Sequence, residues 1–86
     1  TESIYKIWFY LCKVSNQINS LKLLRRNRIV DINLKNSEGM TGLMLAAVNS
    51  NFAAVKFLVR SGADLNATDS NQRTALMLAI KHKADT

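Results

Sequence analysis

The sequence predicts an all-α solenoid, a stack of helix–turn–helix units joined by short hairpin-like loops, and three observations lead there. The first is internal repetition. At an offset of 33 residues Asp31 falls on Asp64, Asn33 on Asn66, Ser37 on Ser70, Thr41 on Thr74, and Leu43-Met44-Leu45-Ala46 on Leu76-Met77-Leu78-Ala79. Composition alone would supply roughly one or two identities in so short an overlap. The second is apolar spacing at the helical period, interrupted by clusters of turn formers. The third is composition: 48% apolar and 21% charged residues with no proline suit a helical globule and exclude a disordered tail. A period of this size signals units that cannot bury their apolar faces alone and therefore stack.

Each element follows from its own residues. Ile4, Ile7, Trp8 and Leu11 recur at i, i+3, i+4, i+7, with Tyr5, Phe9 and Cys12 widening the stripe, and predict a helix over residues 3–14. Ser15-Asn16 interrupts it. Ile18, Leu21 and Leu24 predict a second helix, closed by the Arg25-Arg26-Asn27-Arg28 run. Asn36-Ser37-Glu38-Gly39 is a turn in which Gly39 takes positive φ, and Thr41 is placed to cap a short helix containing Leu43, Leu45, Ala46 and Ala47. Asn49-Ser50-Asn51 breaks that helix. The next starts at about residue 51, with Phe52, Val55, Leu58 and Val59 expected inward and Lys56 and Arg60 outward, and Ser61-Gly62 stops it. Asp69-Ser70-Asn71-Gln72 repeats the turn, with Gln72 in the place of Gly39, and a last helix runs from Thr74 to about Lys83.

The run Gly39-Met40-Thr41-Gly42-Leu43-Met44-Leu45-Ala46-Ala47, continued by Val55-Lys56-Phe57-Leu58-Val59-Arg60-Ser61-Gly62-Ala63-Asp64-Leu65-Asn66, resembles the ankyrin repeat. The family's Thr-Pro-Leu-His reads here as Thr41-Gly42-Leu43-Met44 and Thr74-Ala75-Leu76-Met77, so proline and histidine are absent from both copies. The resemblance implies one ankyrin-repeat domain over residues 1–86: a degenerate end repeat over about 1–33, a second over about 34–66 and a partial third over about 67–86. Trp8, where the family has a small residue, suits an end facing fewer neighbours. The chain reads as a fragment of a longer ankyrin-repeat protein.

Catalytic and metal chemistry find no constellation. A nucleophile needs a base beside it, and the one histidine, His82, stands in the last helix while the one cysteine, Cys12, stands in the first. One of each cannot supply a zinc site, and Gly39, Gly42 and Gly62 are not spaced as a phosphate-cradling loop. No enzyme activity, metal or cofactor is expected. Asp31 and Asp64 share a register position and read as structural turn residues. The lone Cys12 makes a small core thiol and points to a reducing, intracellular setting, cytoplasmic or nuclear, and neither a signal peptide nor a membrane-length apolar run is seen.

The net charge is +6, of which +5 lies before residue 31, in Lys6, Lys13, Lys22, Arg25, Arg26 and Arg28 against Glu2. Cations near helix C-termini complement the helix dipole, which accounts for much of this pattern. The alternative is a basic module binding nucleic acid or an anionic membrane through Arg25, Arg26 and Arg28. The resemblance implies a non-catalytic module that binds another protein through its hairpin tips and the concave face of its short helices. Carried over position by position, the contact residues are Lys35, Ser37, Glu38 and Met40 at the first hairpin, with Val48 and Asn49 at the end of its helix. The next repeat offers Thr68, Ser70, Asn71 and Arg73, then Lys81 and His82. The apolar side of Leu76, Leu78, Ala79 and Ile80 is expected to lack cover, which makes self-association through the last helix a further expectation.

Overall fold

Residues 42–47 are buried without exception, and the molecule is arranged around them. The computed structural model describes the backbone of residues 2–14, 17–27 and 30–84 and the side chains of 4–14, 17–27 and 30–81. Its helices are α1 (Glu2–Lys13), α2 (Ile18–Arg26), α3 (Gly42–Val48), α4 (Phe52–Arg60) and α5 (Ala75–Ala84). Helix α3 packs between α1 and α5 in one layer, while α2 and α4 pack side by side in a second layer that covers α1 and α3. A helix apolar all round has to lie inside, and α3 does. Among the described residues the extended backbone amounts to one antiparallel bridge, Lys35 to Thr41.

The helix boundaries follow local chemistry. Thr41 Oγ1 accepts the Met44 N–H at 3.3 Å, the cap expected of it, and Thr74 Oγ1 accepts the Met77 N–H at the same distance in the equivalent place. Helix α4 stops at Ser61, with Gly62 at φ +93° just beyond.

Packing departs from the sequence pattern in α1, α4 and α5. Phe52 and Val59, expected inward, are exposed, Phe52 to 73%, and the inward stripe of α4 is Ala54 and Leu58. The rotation is set by Asn51, buried at the head of α4: its Oδ1 accepts the Ala54 N–H at 3.4 Å while its Nδ2 donates to the carbonyls of Cys12 and Val14, each at 3.0 Å. One amide thereby starts α4 and satisfies carbonyls at the end of α1. On α1, Ile7 and Tyr5 likewise face solvent, while Trp8, Leu11 and Cys12 turn inward.

Trp8 is not an end residue facing few neighbours; it is 0% exposed, in the core against α3. A Cβ on Gly42 would lie 2.7 Å from Cys12 Sγ and 3.1 Å from Trp8 Nε1, so the indole occupies room that a proline or any larger residue at 42 would take. This accounts for glycine replacing the proline of the motif. Leu78, expected to lack cover, also turns inward and joins the core, leaving Leu76 and Ile80 outside at 70% and 62% exposure.

Candidate interaction surface

Two hairpin turns, built alike from residues 33 apart, form one edge of the molecule. In the first, Asn36 Oδ1 accepts the N–H groups of Glu38 and Met40 at 2.9 and 3.0 Å. In the second, Asp69 Oδ1 accepts those of Asn71 and Arg73, both at 2.9 Å. Gly39 takes φ +76° at the first turn and Gln72 takes φ +66° at the second, so the turn forms even where glycine is replaced. Asp69 differs from Asn36 in charge, and its Oδ2 pairs with the Arg73 guanidinium at 2.9 Å. The Arg73 N–H, followed by its guanidinium and the Asn71 N–H, holds the Asp69 carboxyl below its usual 3.8 against the opposing effect of burial.

Bonds between the turns hold the two tips together. Lys35 Nζ donates to the Thr68 carbonyl at 2.8 Å, and the Ser70 hydroxyl and N–H donate to the Glu38 carbonyl at 2.8 and 3.3 Å. Asn33 Oδ1 accepts the Asp64 N–H at 2.8 Å. Asp31 and Asp64 each accept the N–H two residues on, at 2.9 Å, in the shared structural role expected of them.

The residues singled out in the sequence therefore divide. Lys35, Thr68, Ser70 and Arg73 are engaged within the fold. Met40 is 8% exposed and belongs to the core, a correction that follows from its place between the turn and α3. Ser37, Glu38 and Asn71 expose their side chains at the tips. Val48, half-buried, and Asn49, whose Nδ2 donates to the Leu45 carbonyl at 2.7 Å, lie at the far end of α3, about 10 Å away along a seven-residue helix. Lys81 is exposed on α5, and the side chain of His82 lies outside the described residues, as does Arg28. Arg25 is half-buried and Arg26 exposed in the last turn of α2.

Beside the first hairpin lies a groove of about 340 Å³, walled by Tyr5, Lys6 and Phe9 of α1 and by Leu34, Lys35 and Ser37. Sequence reasoning missed it. Tyr5 and Phe9 read as part of the inward stripe of α1, and only the approach of the hairpin to that helix makes them a wall. Cys12 is buried, and burial pushes its thiol up to about 12, which keeps it protonated and without nucleophilic character near neutral pH.

A family profile described as "Ankyrin repeats (3 copies)" matches residues 8–86. The chain belongs to the ankyrin repeat family. Alpha-latrocrustotoxin-Lt1a of Latrodectus tredecimguttatus is 33% identical over 76 residues, covering 87% of this chain and 5% of the toxin. Ankyrin repeat and SAM domain-containing protein 6 of Rattus norvegicus is 48% identical over 52 residues, covering 59% of this chain and 6% of that protein. The chain thus spans a small part of the length of either relative. Among solved structures, a chain in the complex of the Bd0816 predatory endopeptidase from Bdellovibrio bacteriovorus with immunity protein Bd3460 superposes with a TM-score of 0.81 at 28% identity. That match covers 91% of this chain and 40% of the other. Ankyrin repeats are generally protein–protein interaction modules and generally non-catalytic. Among the described residues no helix is long and apolar enough to cross a membrane.

Proposed function

We propose that this ankyrin-repeat chain binds a partner protein through its hairpin tips, the adjoining groove and the concave short-helix face. The observation that carries the reading is the groove against the first hairpin, where the aromatic walls Tyr5 and Phe9 lie beside the exposed tip residue Ser37. Apolar walls with a few convergent polar groups are what a peptide anchor needs, and aromatic residues are favoured at the centre of interfaces. Lys35 and Ser70 hold the tips in place before a partner arrives, which lowers the ordering cost of binding.

Selection of peptides from a display library on the immobilised chain, followed by calorimetry with the best binder, tests this. Tyr5→Ala combined with Ser37→Ala, Glu38→Ala and Asn71→Ala should abolish binding while leaving the melting temperature nearly unchanged. Undiminished affinity in the fourfold variant would show that the hairpin face is not the interface.

A further inference from the structure

The two outer helices carry a second, separate pattern. Counted from their first residues, α2 reads Ile18, Lys22, Arg26 and α4 reads Phe52, Lys56, Arg60, each at i, i+4, i+8. The two rows stand 34 residues apart, and the helices pack side by side, with Ile18 and Lys22 of one row and Lys56 and Arg60 of the other lining a common groove. Helices α2 and α4 contain five cations, Lys22, Arg25, Arg26, Lys56 and Arg60, and no carboxylate. The helix dipole accounts for cations in a last turn, but its effect fades within that turn, and Lys22 and Lys56 stand in mid-helix. Between the rows runs a groove of about 350 Å³ with a floor of Ile18, Ala53 and Phe57 and a rim of Lys22, Lys56 and Arg60. The ion pair found among the described residues, Arg73 with Asp69, involves none of these cations.

We propose that this outer groove is a second docking surface, and that its occupant is an acidic peptide segment carrying an apolar anchor. The anchor would rest on Ile18, Ala53 and Phe57 while flanking carboxylates meet Lys22, Lys56 and Arg60. Charge complementarity selects an acidic ligand. The apolar floor selects a peptide, because a phosphate backbone gains nothing from Ala53 and Phe57, and a flat lipid surface does not fill a recess between two helices. Partner helices laid into grooves between helices use the same combination of anchor and charge. This surface is distinct from the hairpin face, so one chain has room for two ligands.

Fluorescence anisotropy with a labelled peptide of repeated Glu-Glu-Leu triplets tests the proposal on the whole chain. Saturable binding is expected, tighter than for a Glu-Glu-Ser peptide, for oligothymidylate or for phosphatidylserine vesicles. Lys22→Glu, Lys56→Glu and Ala53→Glu, all at exposed positions, should each weaken it roughly tenfold or more. Lys81→Glu, an equal change of charge on α5, and Glu38→Ala on the hairpin should leave it nearly unchanged. The proposal is overturned if no saturable binding occurs, if the Glu-Glu-Ser peptide, the oligonucleotide or the vesicles bind as well or better, or if Lys81→Glu weakens binding as much as Lys56→Glu.

Discussion

Asn36 and Asp69 make the same two acceptor bonds in equivalent turns, yet only Asp69 titrates. A carboxyl whose pKa is lowered on folding stabilises the protein above its unfolded value, and that stabilisation is lost as pH falls through the folded value. Stability should therefore drop on acidification below the ordinary 3.8. Asp69→Asn should retain the hairpin, as Asn36 shows an amide can, and urea midpoints at pH 7 and pH 3 should lie closer together than in the parent. Gln72 stands at φ +66° where its counterpart is a glycine. The left-handed region costs a non-glycine residue roughly 1–2 kcal/mol, and glycine's chain entropy returns about half of that, so Gln72→Gly should stabilise by roughly 0.5–1 kcal/mol in denaturant melts. At Leu58, fully buried in α4, truncation to alanine should cost roughly 2–5 kcal/mol by loss of transfer energy and cavity formation. Lys56→Ala, on the exposed face of the same helix, should leave the midpoint almost where it was.

Between elements, one side chain supplies the hydrogen bonds seen between the end of α1 and the head of α4 among the described residues. Asn51 accepts from Ala54 and donates to two carbonyls at the end of α1, and its replacement would leave buried groups without partners. Asn51→Ala should cost about 2–3 kcal/mol, the sum of a lost cap and an uncompensated carbonyl. Asn51→Asp keeps the cap but places a negative charge against carbonyl oxygens, and it should be at least as destabilising. Thermal melts of the pair separate the two contributions: if Asn51→Asp melted at the parental temperature, the bonds to α1 would be immaterial. Helices themselves were legible in the sequence because caps and stops are local. Thr41, Thr74 and Gly62 act within a few residues of where they stand. Leu58 was legible as an inward residue of α4, but the rest of that face was not, since Phe52 and Ala54 both fit an amphipathic pattern and the choice between them rests on a contact 37 to 39 residues away.

Across the molecule as a whole, α5 presents Leu76 and Ile80 to solvent among the described residues, next to a groove of about 200 Å³ lined by Leu43, Ala47, Val55, Val59 and Leu65. Exposed apolar surface of this kind favours association, and two copies meeting through the same patch would form a two-fold dimer. Light scattering at rising protein concentration should show an increase in mass that Leu76→Lys with Ile80→Lys abolishes. A constant monomer mass in the parent chain would refute it. The outer groove between α2 and α4 should remain free in such a dimer, because none of its lining residues belongs to α5.

The helices, their order, the hairpin turns and the membership of a stacked repeat family could all be read along the chain, because each rests on short-range periodicity, capping or a fixed offset. Which side of each helix is a surface depended on contacts between distant residues. Trp8 entered the core because Gly42 leaves room for an indole, Met40 was withdrawn from the hairpin tip, and Lys35 and Ser70 were taken up in bonds between turns. The walls of the hairpin groove and of the outer groove come from elements that meet only after packing: Phe9 with Leu34 in the first, Lys22 with Lys56 in the second. A repeat's pattern records what each unit buries, and contact between units sets what remains for a partner.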